Sequence, residues 1–370
     1  MKFSLLSENI NKKLPFISHA VSNRSQLTAL LNFLITAKGK ELSVSATDLE
    51  IGIIGRLPAG IEEDGETSVP ARTLLELLGN IPNGKIDVYT KENTLFIETP
   101  KTKMQLQTQP TNDFPLLYEK KGEEIIEVEK ELLEKELKKV VFASSLDSSR
   151  PALSGVLIGE KGGDRIIVAT DGYRLSFKKI AAGVKKKTGG LKKTILVPSR
   201  ILRELISLKE EGSVKVCVSS ENNQVVFSQG DMEVVGRLIE AEFPAYEKII
   251  PSDFSAQATF DRQEMHGAVK TCWVFARETS GIIRMAIGKN KITVSSSTPS
   301  VGQGSVEVEA RVEGEENEIA FNGRYLLELL SNIDEEDMVF EMTGPLNAGV
   351  FKIAGDSSFL HLIMPIRVQE

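Results

Sequence analysis

Cysteine and histidine are nearly absent. Two cysteines, Cys217 and Cys272, and three histidines, His19, His266 and His361, are the whole complement. Their spacing supports neither a disulfide framework nor a metal clip, and it fits a reducing compartment. The chain has no His-x-x-x-His pair. The Gly183–Gly190 stretch holds lysines and glycines but no Gly-x-x-x-x-Gly-Lys-Ser/Thr phosphate loop. No Ser/His/Asp or Cys/His constellation stands out, so neither a metal, a cofactor nor an enzymatic activity is expected. Long apolar runs are missing too: nothing approaches the roughly 18 residues of a membrane span. The apolar stretch Met1–Leu6 gives way at once to Glu8 and Asn9, too short for a signal peptide. The expected location is the cytoplasm. A positive balance is also lacking. The net charge of −7 argues against a surface that coats nucleic acid throughout. It leaves room for a local basic face, because charges act over about 10 Å at moderate salt.

What is present is a repeat. Val69-Pro70-Ala71-Arg72-Thr73-Leu74-Leu75-Glu76-Leu77-Leu78 returns as Val197-Pro198-Ser199-Arg200-Ile201-Leu202-Arg203-Glu204-Leu205-Ile206. It returns again as Phe321-Asn322-Gly323-Arg324-Tyr325-Leu326-Leu327-Glu328-Leu329-Leu330. Phe114-Pro115, Phe243-Pro244 and Met364-Pro365 keep the same period, as do Ala46-Thr47-Asp48 with Ala169-Thr170-Asp171 and Arg24 with Arg150. The unit is about 125 residues, too long for a solenoid repeat and ordinary for a domain. Three domains are therefore expected over 1–121, 122–249 and 250–370.

Each copy opens on a helical spacing: Ile10, Leu14, Ile17 and Val21; Leu133, Leu137 and Val140; Met265, Val269, Cys272 and Ala276. Pro15 is expected to kink or loosen the first. A second helix covers each Arg-x-Leu-x-Glu-Leu segment, with Pro70 and Pro198 at two of its starts. Between the helices the pattern alternates. Glu41–Ala46, Lys85–Thr90, Thr94–Thr99 and Lys103–Thr108 read as strands, with Gly84 and Glu92-Asn93 supplying turns. Short polar turns favour antiparallel pairing, so the fold class is α+β, with two helices packed on antiparallel sheets in each domain. From the residues alone, a hydrolase with an unrecognised carboxylate site and a scaffold that never touches DNA both stay open. Asp171-Gly172 could supply such a carboxylate, although a turn aspartate is the stronger reading.

Three segments carry a resemblance. Ala169-Thr170-Asp171-Gly172-Tyr173-Arg174-Leu175, Arg150-Pro151-Ala152-Leu153-Ser154-Gly155-Val156 and the terminal Met364-Pro365-Ile366-Arg367-Val368 occur in order on the threefold repeat. Along essentially its whole length the chain resembles the bacterial DNA polymerase III beta subunit family of sliding clamps. That resemblance implies a DNA clamp fold and a head-to-tail homodimer. Six domains would close a ring with twelve short helices around the hole. It also reconciles the charge: a ring can be acidic outside and basic inside. The implied partners are double-stranded DNA without sequence preference, a replicative polymerase subunit, a clamp loader and repair polymerases.

The resemblance also implies two sets of site residues. Cations that meet phosphates without reading bases would be Arg24, Arg72, Lys135, Lys139, Arg150, Arg200 and Lys270, with Lys12, Lys13, Lys138, Arg203 and Arg324 on the same helices. The third copy has Ser280-Gly281 where the others have Arg24 and Arg150. The lysines at 185–187 and 192–193 form a separate loop run, read as solvated. A cleft for a partner's linear motif would hold Leu153, Thr170, Gly172, Tyr173, Arg174 and Leu175 from the second domain, and Pro244, Lys248 and Ile249 from the linker. Asn322, Tyr325, Leu362, Met364, Pro365, Ile366 and Arg367 would complete it. Tyr173 stands where the family often has histidine, and Lys248 where arginine is common.

Overall fold

A computed structural model describes residues 1–118, 121–147, 149–180, 185–186 (backbone only), 194–219, 221–278, 280–300 and 302–367. Within these residues every strand pairing is antiparallel. Each repeat runs strand, helix, four or five strands, helix, three strands. The three opening helices are α1 (Ser7–Ile17), α3 (Lys130–Val141) and α6 (Arg262–Ala276). A single turn, α4 (Pro151–Ser154), follows α3. The three second helices are α2 (Ala71–Gly79), α5 (Ser199–Ser207) and α7 (Gly323–Asn332).

Local chemistry accounts for these elements. Ile10, Leu14 and Ile17 form the buried stripe of α1. Pro15 lies in its last turn, so the helix runs through it and ends two residues later in a single 3-10 turn, Ser18–Ala20. Val21 falls beyond the helix. Met265, Val269, Cys272 and Ala276 line the buried face of α6. The Asp261 side chain caps that helix by accepting the Glu264 amide at 2.7 Å, and Asn322 caps α7 by accepting the Arg324 amide at 3.0 Å. The strand Glu41–Thr47 follows its alternation, with Leu42, Val44 and Ala46 buried.

Two compact units result: residues 1–130, 184–190 and 200–238, and residues 131–183, 191–199 and 239–370. The second repeat contributes to both because each of its sheets continues a neighbour's. In the first unit, Met232–Arg237 pairs with Ile51–Leu57 inside a nine-stranded sheet, beside a five-stranded sheet that ends at Lys103–Gln107. In the second unit, Arg174–Ile180 pairs with Asp356–Ile363 inside a twelve-stranded sheet. The main core of the second unit packs Phe321, Phe340 and Phe351 against one another, with ring centroids 4.7–6.0 Å apart. A smaller cluster gathers Ile166, Val168, Leu175, Tyr246, Val350 and Leu362. One backbone feature stands out in the first unit. Leu49 has φ +78°, a left-handed conformation that costs a non-glycine residue about 1 kcal/mol or more, yet its side chain is 53% exposed.

Candidate functional site

The turn between strands Asp164–Thr170 and Arg174–Ile180 is wired by its own side chains. Thr170 Oγ1 donates to the Arg174 carbonyl at 2.6 Å and accepts the Gly172 amide at 3.1 Å. Asp171 Oδ1 accepts the amides of Tyr173 and Arg174 at 2.9 and 3.0 Å. Asp171 is thus a turn aspartate, and Gly172 supplies the positive φ of +92° that the turn requires. A Cβ at Gly172 would lie 3.8 Å from Leu153 Cδ1, which places Leu153 of α4 beside the turn.

Arg174 is the node of the site. Its side chain is buried, with Nε donating to Asp171 Oδ2 at 3.0 Å and Nη2 to the Phe142 carbonyl at 2.9 Å. Nη1 lies 2.6 Å from Glu328 Oε2 on α7. The guanidinium stands 4.5 Å from the Tyr325 ring centre and 5.5 Å from that of Phe142. Burial opposes the Glu328 carboxylate, but the Arg324 hydrogen bond at 2.7 Å and the Arg174 charge outweigh it and hold its pKa below the usual range. Behind the node, the buried His361 has Nδ1 2.6 Å from Ser176 Oγ and its ring stacked on Phe142. Burial, helped by the nearby Arg174 charge, drives its pKa well down, so the ring stays neutral.

The chain's C-terminal segment is anchored to this turn. The Met364 amide donates to the Tyr173 carbonyl, and the Ile366 amide to the Ala320 carbonyl, each at 2.8 Å. Tyr173 and Met364 expose apolar surface there, at 59% and 44%. Pro244, Lys248 and Ile249 are exposed as well. The last two lie on the 3-10 turn Tyr246–Ile249, which buried Tyr246 holds to the small apolar cluster. Pro365 is half-buried and Arg367 exposed. Two expectations need correcting. Leu175 and Leu362 pair across adjacent strands and are 1% and 2% exposed. They form the packed backing of the site rather than its surface. Leu346, in the Gly344–Gly349 turn before the strand Gly349–Ile353, is 61% exposed and was not among the expected lining residues. Glu328 was not anticipated either, although Glu76, Glu204 and Glu328 each stand four residues after the repeat's arginine.

The cations fare unequally. Arg24, Arg150 and Lys270 are exposed, and no ion pair to them occurs among the described residues. Arg72 donates to Asn23 Oδ1 at 2.9 Å, bracing the loop that carries Arg24. Lys135 is exposed and reaches Glu335 at 3.5 Å. Lys139 departs from expectation: it is 2% exposed, with Nζ 2.7 Å from the half-buried Glu335, so its charge is held in an ion pair rather than presented at the surface. Arg200 sits 2.5 Å from Asp48 and 3.5 Å from Glu50, and donates to the His19 carbonyl at 3.2 Å. Much of its charge is already neutralised. Lys13 is likewise engaged, with the Arg56 carbonyl and Asp231. The side chains of the 185–187 and 192–193 lysines lie outside the described residues. Among those described, no group of three or more His, Cys, Asp or Glu could hold a metal, and no helix is long and apolar enough to cross a membrane.

Comparison with known proteins extends over the whole chain. Three family models match in succession: the N-terminal, central and C-terminal domains of the DNA polymerase III beta subunit, over residues 1–118, 127–245 and 247–367. The chain is 27% identical to the beta sliding clamp of Pseudomonas aeruginosa over 370 residues, covering 100% of both, and 27% identical to that of Staphylococcus aureus over 380 residues, covering 99% of both. Among solved structures it is similar to the P. aeruginosa DNA polymerase III subunit beta (TM-score 0.92, 27% identity) and to the Caulobacter crescentus protein (0.89, 28%), each covered 100% on both sides.

Proposed function

Because the chain belongs to the DNA polymerase III beta subunit family and is a DNA sliding clamp, we propose that it works as a closed head-to-tail homodimer. The dimer encircles duplex DNA in the cytoplasm without catalysis of its own. It tethers a replicative polymerase, a clamp loader and repair polymerases through the cleft around Arg174. The three domains of this reading are 1–121, 122–249 and 250–370.

Unpaired sheet edges support the head-to-tail closure. Lys103–Gln107 ends the five-stranded sheet. In the second unit, the long strand Gly302–Gly314 pairs with Lys291–Thr298 through its first half, and with Ala256–Phe260 only from Ala310 onward. Each edge offers a row of backbone donors and acceptors. Pairing the first edge of one copy with the second edge of another is heterologous, and repeating it closes a ring. For the DNA contact, Arg24, Arg150 and Lys270 supply exposed charge without base readout, the kind of affinity that changes little with position.

One observation carries the cleft. The Met364–Tyr173 main-chain hydrogen bond brings the chain's C-terminal segment against a turn locked by Arg174, leaving Tyr173 and Met364 exposed on a rigid frame. A partner's Leu or Phe anchor desolvates these groups, worth roughly 2 kcal/mol when well packed. Two measurements on the full-length dimer test the reading. Clamp loaded onto closed circular DNA should remain, and linearising the DNA should release it; equal retention on both removes the ring. Deleting residues 364–370 should abolish binding of a clamp-binding peptide while the dimer persists; unchanged affinity removes the cleft.

A further inference from the structure

The turn at residues 47–51 of the first unit repeats the turn of the cleft bond for bond. Thr47 Oγ1 donates to the Ile51 carbonyl at 2.9 Å and accepts the Leu49 amide at 3.0 Å. Asp48 Oδ1 accepts the amides of Glu50 and Ile51, both at 3.0 Å. Leu49, at φ +78°, holds the place that Gly172 holds at +92°. Strand pairing completes the equivalence: Gly236 faces Ile51 as Ile363 faces Arg174, so Arg237 stands where Met364 stands. Pro115 and Leu116 of the first linker correspond to Pro244 and Ala245 of the second.

These elements enclose an open cleft of about 340 Å³ lined by Leu49, Glu50, Pro115, Leu116, Gln224 and Arg237 among others. Leu49 and Leu116 are 53% and 73% exposed. A leucine in a left-handed turn is doubly unfavourable when it is also solvated, and folding gains nothing from it there. The floor differs from the other cleft, since Leu117 packs 2.7 Å from where a Gly52 Cβ would be. The rim charges are unequal. Glu50 is directed at Arg200, 3.5 Å away, and Asp48 is paired with the same guanidinium. Arg237 is exposed, and no ion pair to it occurs among the described residues.

We propose that this cleft is a second linear-peptide site in each chain, taking an extended partner segment with a Leu or Phe anchor beside an acidic residue. Leu49 and Leu116 desolvate the anchor, and Arg237 pairs with the carboxylate. Where Met364 makes the other cleft's rim apolar, Arg237 makes this one select for negative charge. The inference rests on the reading of the Arg174 cleft as a peptide site, and the test separates the two.

The probe is a fluorescent hexapeptide carrying Leu-Phe flanked by Asp, titrated onto the full-length chain by anisotropy, with a Lys-flanked twin as control. Removing residues 364–370 should leave one site per chain that prefers the Asp peptide by tenfold or more. In that background, Arg237→Glu should abolish the preference. Leu49→Gly should weaken binding about tenfold, and a glycine suits the backbone there, so the fold is retained. If the truncated chain binds neither peptide while the intact chain binds one equivalent, the proposal fails and the Arg174 cleft stands. If truncation changes nothing and Leu49→Gly removes all binding, the proposal stands and the Arg174 cleft fails. Equal binding of the Asp and Lys peptides to the truncated chain overturns the charge selection and with it the proposal.

Discussion

Arg174→Met tests whether the cleft owes its shape to one buried guanidinium. Methionine fills a similar volume, so the cavity contribution is small. The charge is what is lost. The Phe142 carbonyl loses its 2.9 Å donor, an unsatisfied buried acceptor worth about 1–3 kcal/mol. Asp171 keeps its two backbone donors and Glu328 keeps Arg324, while the two carboxylates are 13% and 28% exposed. The total should therefore fall near the lower end of the cost of orphaning a buried charge, about 3 kcal/mol. For a cooperative unit of roughly 150–250 residues this lowers Tm by about 6–12 °C. Calorimetry of the full-length protein reads it directly. The double variant Arg174→Met with Glu328→Gln removes one of the stranded charges and should recover about 1 kcal/mol. Peptide affinity should fall at least tenfold at a temperature where Arg174→Met is still folded. A Tm within 2 °C of the parent, or a double variant no more stable than the single, would refute the reasoning. Lost stability with unchanged peptide affinity would show that Arg174 supports the fold but does not position the cleft.

Replacing Arg24 and Arg150 together by alanine should leave the dimer intact and reduce the salt slope of DNA binding by about 1 for each lost phosphate contact. Lys139→Ala should do the opposite, leaving the salt slope unchanged while lowering Tm, because Glu335 loses its nearer, buried partner and keeps only the exposed Lys135 at 3.5 Å. For Asp356, burial opposes ionisation, but Lys178 at 2.8 Å and Ser358 outweigh it and lower the pKa from 3.8 to about 2. A depressed carboxylate contributes stability above its unfolded pKa and loses it as pH falls through the folded one. Urea unfolding at pH 6 and pH 2.5 should therefore show a smaller loss for Asp356→Asn than for the parent; equal losses would exclude this carboxylate. Leu175→Ala should cost about 2–5 kcal/mol of stability as a large-to-small core change, seen as a lower urea midpoint.

The sequence displays the fold well because its signals are local. Alternation, helical spacing and a returning ten-residue segment need no knowledge of partners, and they place strands such as Glu41–Thr47 and the buried face of α6. It displays the site less well, because exposure is a property of packing. Leu175 reads equally as a pocket wall and as core, and pairing with Leu362 across two strands decides for core. Lys139 sits beside Lys135 and Lys138, outside the Leu133, Leu137 and Val140 stripe, and so reads as solvated, but Glu335, far along the chain, pairs with it where it is buried. Leu49 escapes notice because nothing in Thr-Asp-Leu-Glu marks a left-handed backbone. The equivalent Thr-Asp-Gly-Tyr does mark one, through its glycine.

The repeat also explains why like-placed arginines do unlike work. In both turns the aspartate accepts two backbone amides with one oxygen, which leaves the other seeking a cation. In the first unit position 51 is isoleucine, so Asp48 takes Arg200 from the start of α5. Glu204, four residues further on, is then met by His19 at 2.7 Å. In the second unit the residue equivalent to Ile51 is Arg174, which satisfies Asp171 from its own turn. Arg324, the counterpart of Arg200, is thereby released to pair with Glu328 on its own helix, and Glu328 in turn completes the shell around Arg174. In the first repeat Arg72 spends a donor on Asn23. One substitution, isoleucine for arginine at the end of a turn, thus redirects three charged side chains. Arg24, Arg150 and Lys270 stay outside this network, exposed and without an ion pair among the described residues.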